Sequence, residues 1–301
     1  MKLVTRIAVT SAALAALVAP TLALGQSASP TGAKPTVSES PSSGFPDKAY
    51  LLVLPKTQAL SASKVSVTEN ESPVSGLAVA PPGGSKSGAI LLIDASNSMK
   101  GAPIQNATAA ARAFLAERKG DLPVAIVVFG PDDSVLTDFT TDSKQLAAAV
   151  AKTPATAEGT HIYDALINAT DLAKSKGLER TTVVLLSDGT DSGSDASRAD
   201  ALTAATDGNV RVISVGLSSP QYDPQTLKSL ANRTGGTYVQ TATPAELQPI
   251  FQEIGQQLSR EYEVTYRSLL PPNRPTVVAV TVAGYPTAKA SYTTPALDFT
   301  P

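Results

Sequence analysis

The sequence predicts a doubly wound α/β domain, with helices on both faces of a mostly parallel sheet, joined to a small β-sandwich made from the strands on either side of it. Three observations carry this expectation. Four continuous apolar runs, residues 89–93, 124–129, 182–186 and 210–215, are too short for helices and mostly rich in β-branched side chains. Such runs suit strands covered on both faces. Segments of helical period separate them: Ile162, Ala165, Leu166, Ala169, Leu172 and Ala173 share one helix face, and Ile104, Ala107, Ala111, Phe114 and Leu115 repeat the pattern. Both flanks switch to a period of two, as in Lys64-Val65-Ser66-Val67-Thr68 and in Tyr262, Val264 and Tyr266.

From the start of the chain, Lys2 and Arg6 precede an apolar stretch over residues 7–19, then Pro20 and the small residues Ala23 and Gly25. This reads as an export signal over residues 1–25, cleaved before Gln26. Left uncleaved, it would be a membrane anchor; no later segment has the ~18 uninterrupted apolar residues of a span. Residues 26–46, rich in Ser, Pro, Thr and Gly, bury too little apolar surface to order themselves and are expected to be a disordered tether. Residues 47–85 supply the first strands of the sandwich, residues 86–260 the α/β domain, and residues 261–295 the returning strands, followed by a tail over residues 296–301. Helix boundaries are written in Asp223-Pro224, in Gly235-Gly236, and in Thr243-Pro244-Ala245-Glu246, which combines an N-cap, a first-turn proline and a capping-box acid. The last helix runs into the Tyr262 strand without a flexible linker, so a shift of that helix would be passed to the sandwich.

Composition removes several functions. The 301 residues carry 24 Lys and Arg against 26 Asp and Glu, a net charge of −2 with no basic stripe, which argues against a nucleic-acid partner. There is no cysteine, so disulfides, cysteine-ligated zinc and thiol catalysis are absent together.

The strongest chemical signal stands at the end of the first buried run: Asp94-Ala95-Ser96-Asn97-Ser98-Met99, just before an amphipathic helix. In a doubly wound sheet, ligands sit beyond the carboxyl ends of the strands where strand order reverses. Gly159-Thr160 precedes a second helix, and Ser187-Asp188-Gly189 ends another run, so three loops can bring oxygens to one hard cation. Magnesium takes six oxygens at about 2.0–2.1 Å and often keeps water. With charge limited to Asp94 and Asp188, and Ser96, Ser98 and Thr160 neutral, the cation stays electrophilic enough to accept one more carboxylate.

Asp94-x-Ser96-x-Ser98, Thr160 and Asp188 together resemble the metal-ion-dependent adhesion site of von Willebrand factor A domains, and the resemblance spans the α/β portion. It implies a Rossmann-like fold, a cation (Mg2+, with Mn2+ or Ca2+ as alternatives) at those five residues, and an Asp or Glu of a protein partner completing the coordination. Asn97, Met99, His161 and Gly189 would surround the metal and meet that partner. Asn97 stands where members often have glycine, and asparagine tolerates left-handed backbone better than most residues, so the loop is expected to hold. More narrowly, the chain is similar to exported actinobacterial proteins with such a domain linked to secretion or pilus-type systems.

Blander readings remain. Ser96, Ser98 and Thr160 are also capping residues, and Asp188-Gly189 is also an ordinary turn. Asp188, Asp191, Asp195 and Asp200 lack EF-hand spacing and suit a solvated turn rather than a second cation. His161, the single histidine, has no nucleophile or orienting acid in its sequence context. The expected function is an adhesion-type protein-binding module at the cell surface, in the envelope or secreted, and not an enzyme. The alternatives are a metal-independent scaffold of a secretion or pilus assembly and, with little support, a magnesium-dependent hydrolase. The last lacks a phosphate loop and an evident base.

Overall fold

Residues 34–81, 84, 86–118, 122–219 and 222–296 are described by a computed structural model; the expected export signal over residues 1–25 lies outside them. The first strands are β1 (Thr36–Glu39), β2 (Asp47–Val53), β3 (Val65–Glu69), β4 (Ser72–Pro73) and β5 (Ser75–Ala80). β1 corrects the expectation of a tether through residue 46. It pairs antiparallel with β2 from Thr36 opposite Val53 to Glu39 opposite Tyr50, and its Val37 packs on the sandwich core. A strand at a sheet edge needs only one apolar contact and a partner's hydrogen bonds, which composition does not reveal.

The α/β domain follows as β6 (Ser87–Asp94), α1 (Ala102–Glu117), β7 (Val124–Phe129), β8 (Ser134–Thr140), α2 (Ser143–Ala149), α3 (Ile162–Ser175), β9 (Arg180–Ser187), α4 (Arg198–Asp207), β10 (Val210–Leu217), α5 (Pro224–Arg233), β11 (Tyr238–Thr241) and α6 (Leu247–Leu258). Its six-stranded sheet runs β11-β10-β9-β6-β7-β8, parallel except for β8. All eight residues of β6 are buried. Ala89, Leu91 and Ile93 of that strand share a core with α1, α2 and α6, while Ile90 and Leu92 share the opposite core with α3, α4 and α5. A Leu or Ile so covered contributes about 1.5–3 kcal/mol. Connections leave β6 towards β7 on one side, while β9 pairs on the other, so the sheet reverses between β6 and β9.

α5 begins as its sequence indicates, with the Asp223 carboxylate accepting from Gln225 N at 2.9 Å. At the start of α6 the capping differs from expectation. Thr243 is the N-cap and Pro244 opens the turn as expected, but Pro244–Glu246 form a separate 3-10 turn, and Glu246 also accepts from Ala242 N and Thr241 Oγ1. α6 packs along α1, and the close approach falls at Gly255, where a Cβ would stand 2.7 Å from the Phe114 carbonyl oxygen.

The chain then returns through β12 (Glu261–Arg267), β13 (Pro275–Val282) and β14 (Ala288–Thr293). Two four-stranded sheets result, β1-β2-β12-β5 and β14-β13-β3-β4. Tyr50, Leu52, Tyr262, Val264 and Tyr266 of the first share a core with Val65, Val67, Val278, Val280 and Val282 of the second. β5 and β12, which lead into and out of the α/β domain, are neighbours in one sheet, with Val264 opposite Val79. The seam below the domain holds the ion pairs Arg180–Glu263 and Arg211–Glu261.

Candidate functional site

The site begins with the register of β6 and β9. Ile93 lies opposite Leu186, so the next residues, Asp94 and Ser187, end adjacent strands at the reversal of the sheet. Ser187 Oγ donates to Asp94 Oδ2 at 2.6 Å, and Ser96 N donates to Asp94 Oδ1 at 2.7 Å. Beyond Asp94 the chain crosses β7, with Ala95 N donating to Phe129 O, and then makes a 3-10 turn, Asn97–Met99, ahead of α1. That turn leaves Ser96 buried and Ser98 exposed, with their hydroxyls side by side. Ser96 Oγ and Ser98 Oγ stand 2.9 Å apart, and Ser98 Oγ donates to Asp188 Oδ1 at 2.6 Å.

Thr160 arrives on the loop before α3. Its carbonyl accepts from Ser192 N at 2.8 Å, and a Cβ at Gly189 would lie 3.9 Å from its Cγ2, which places it against the loop after β9. Ser96 forms a bridge with Ala157 of the same α3 approach. The structure therefore gathers Asp94, Ser96, Ser98, Thr160 and Asp188 from three loops at one end of the sheet. A fourth loop joins them without having been expected: Ser219, after β10, donates its hydroxyl to the Asp188 carbonyl at 2.7 Å.

Electrostatically the site is short of positive charge. Asp94 is fully buried and Asp188 nearly so, at 0% and 2% exposure, and neither has an ion-pair partner among the described residues. Burial pushes the Asp94 carboxyl up to about 6, against the lowering effect of the Ser187 and Ser96 hydrogen bonds. Asp188 is raised by the same cause and partly relieved by Ser98. Two carboxylates taken out of water without a cation are costly. Two acids with hydroxyl oxygens at hydrogen-bonding distance make a donor set fitted to a hard divalent cation. Among the described residues no three His, Cys, Asp or Glu side chains are grouped to hold a metal.

The surrounding residues divide. Asn97 is exposed and His161 partly so, but Met99 has no exposed surface and Gly189 is buried. Met99 is thus corrected from a contact residue to part of the core beneath α1, where the 3-10 turn points it inward. Gly189 instead gives its N–H to Ser187 Oγ at 3.2 Å. Asn97 is not left-handed; the positive φ in this loop belongs to Gly101, at 86°. His161 lies beneath the Gly193 backbone, with Nδ1 3.9 Å from Asp164 Oδ2. The acids that follow Asp188 serve local structure: Asp191 accepts from Tyr163 N, and Asp200 completes a capping box with Ser197 at the start of α4.

Comparison with known proteins places this geometry. Residues 89–190 match the family model of the von Willebrand factor type A domain. The fold is similar to a von Willebrand factor type A protein from Catenulispora acidiphila, at 15% identity and a TM-score of 0.55, over 88% of this chain and 75% of that one. It is similar to proximal thread matrix protein 1 from the mussel byssus, at 16% and 0.52, over 64% of this chain and 50% of that one. The ArnB paralog VWA2 from Sulfolobus acidocaldarius aligns at 16% and 0.50, over 86% of this chain and 74% of its own. No curated protein matches the sequence. With the strand order, the reversal at β6 and β9 and the family match in agreement, the chain contains a von Willebrand factor type A domain.

Proposed function

We propose that this protein is an extracytoplasmic protein-binding module in which Asp94, Ser96, Ser98, Thr160 and Asp188 hold a divalent cation, Mg2+ or alternatively Mn2+ or Ca2+, that takes an Asp or Glu carboxylate from a partner. The observation that carries this reading is the pair of buried carboxylates without a cationic side chain, bridged by Ser96 and Ser98. Ser98 and Asn97 are exposed at the mouth, so an incoming carboxylate has a route to the oxygens from outside. The cation would supply the positive charge that two acids and a visiting third require; the chain's own part is to fix the oxygens through β6, β9 and the α3 approach.

Two further points support the reading. The mussel byssus protein has a structure described with a zinc-occupied MIDAS motif, so this fold accommodates a metal in that protein. The charged and apolar order of residues 2–19 supports export, and no described helix is long and apolar enough to cross a membrane.

The test is isothermal titration of Mg2+ and Mn2+ into the purified chain and into Asp94→Ala, each checked for fold by circular dichroism. Saturable one-to-one uptake by the parent and none by the variant is expected. Absence of uptake both alone and with an acidic peptide present would leave the domain as a metal-independent scaffold.

A further inference from the structure

We infer that Asp191 and Ser194 are positioning residues of the proposed metal site: from the loop after β9 they cap α3, and through that cap they hold Thr160 against the loop that carries Asp188. The inference rests on the metal-binding reading above. Both residues act on the cation through Thr160.

An α-helix begins with N–H groups that have no partner within the helix, and a Ser, Thr, Asp or Asn at the cap ordinarily supplies one. At α3 the cap position is His161, whose side chain makes no such bond. The N–H groups of the second and third helical residues turn instead to a loop 28 residues further along the chain. Tyr163 N donates to Asp191 Oδ1 and to Ser194 Oγ, both at 3.1 Å, and Asp164 N donates to Ser194 Oγ at 3.3 Å. Ser194 Oγ in turn donates to Asp191 Oδ1 at 2.5 Å, which fixes the two acceptors side by side. The helix answers the loop: the Asp164 carboxylate accepts from Asp195 N and from Ala196 N, each at 2.9 Å. Ser192 N donates to the Thr160 carbonyl at 2.8 Å. A Cβ at Gly193 would stand 2.6 Å from His161 Nε2, so the loop lies tight on the residue that follows Thr160.

These bonds run in both directions, so the approach to α3 and the loop between β9 and α4 move as one piece. Thr160 stands just before the first of these segments and Asp188 at the start of the second. A cation that draws on both residues needs their separation fixed, and partners behind a ligand commonly change metal affinity by about 10–100-fold. The same cap spares Thr160 the capping role that its place in the sequence suggests, because the first N–H groups of α3 are already taken. Asp200 gives the contrast. It completes a capping box with Ser197 at α4 and has no bond to the approach of α3 among the described residues.

The experiment is calorimetric titration of Mg2+ into the full chain and into Asp191→Ala, Asp191→Asn, Ser194→Ala and Asp200→Ala, with backbone amide hydrogen exchange of each followed in chelator. Asn keeps an oxygen for the Tyr163 N–H, and Asp200→Ala removes a cap of the same kind from α4. The expected result is faster exchange at Tyr163 and Asp164 in Asp191→Ala and Ser194→Ala, with Mg2+ affinity lowered about ten-fold in both, recovered in Asp191→Asn and unchanged in Asp200→Ala. Parental affinity in either alanine variant at position 191 or 194, or an equal fall in Asp191→Asn or Asp200→Ala, overturns the inference and leaves the metal site standing. If Asp191→Ala does not fold by circular dichroism, Ser194→Ala, which loses only a hydroxyl, decides. Uptake of no Mg2+ by the parent chain overturns the site itself, and this inference with it.

Discussion

Arg211 of β10 and Glu261 of β12 meet in a two-pronged ion pair at the seam between the α/β domain and the sandwich, with Nη1 2.9 Å from Oε2 and Nη2 2.7 Å from Oε1. Their side chains are 6% and 10% exposed, and Arg211 also donates to Thr182 Oγ1. Breaking one side of a pair this buried leaves a stranded charge. Glu261→Gln is expected to lower stability by about 3–5 kcal/mol in urea unfolding, while Arg211→Met with Glu261→Leu recovers most of the loss. A double variant no more stable than the single one would show that the seam needs the charges themselves.

The Asp94 carboxyl, raised from 3.8 to about 6 by burial, gives a signed pH dependence. As pH falls through about 6, the folded protein takes up a proton that the unfolded chain does not bind until nearer 3.8. Stability in chelator therefore rises on acidification across that window and falls as pH rises. On the proposed metal-binding reading, divalent cation affinity is expected to run the opposite way, weakening below about pH 6. Asp94→Asn is expected to remove this dependence and, in chelator at pH 7.5, to unfold with about 1–3 kcal/mol more stability than the parent. Thermal melts from pH 4 to pH 8 check it, and a parent whose stability in chelator increases with rising pH between about 4 and 6 would contradict the sign.

Gly255 is fixed by the approach of α1. A methyl there would lie 2.7 Å from Phe114 O and 3.2 Å from the Glu117 Cβ, so the two helices must part. Gly255→Ala is expected to cost about 1–3 kcal/mol despite alanine's better helix propensity, because the overpacking outweighs it. Differential scanning calorimetry measures this; a raised melting temperature would mean that α6 slides without cost.

Inside the sandwich, Glu69 is 2% exposed and accepts from three hydroxyls: Tyr266 at 2.8 Å, Tyr292 at 2.6 Å and Ser268 at 2.6 Å. Burial and the bond to Glu69 hold the Tyr266 phenol far above its ordinary value, so it stays a donor. Tyr266→Phe keeps the ring and loses one charge-assisted bond, an expected loss of about 1.5–3 kcal/mol by chemical denaturation. No change in the denaturation midpoint would mean that the remaining donors close around the carboxylate.

Much of this was legible in the sequence because the relevant signals are local. Asp94, Ser96 and Ser98 sit on one turn, and the buried strands announce themselves as unbroken apolar runs. The elements that escaped notice carry weak local patterns or depend on partners distant in the chain. The β8 strand is largely exposed at a sheet edge and shows little alternation, and the Ala-rich α4 has a weak apolar face. Ser187 was visible as part of Ser-Asp-Gly, but its hold on Asp94 follows from the pairing of Ile93 with Leu186, which only the register supplies. Ser219 reaches Asp188 from 31 residues away on a loop with no motif. Met99 shows the converse: adjacency to the ligand turn suggested contact, while a change of direction of one residue placed it in the core.

The pairing of β5 with β12 has a mechanical meaning. One strand carries the chain into the α/β domain and the other carries it out, and their domain-facing ends lie side by side. A pull on a ligand seated at the far end of the domain would descend through both at once. It would reach the sandwich as shear along β12, whose pairing with β2 runs from Glu261 opposite Val53 to Arg267 opposite Asp47. All of those residue pairs resist a sliding strand together, whereas a strand peeled from one end gives them up in turn. The α/β domain is thus set into the sandwich along the direction of the strands rather than across their ends.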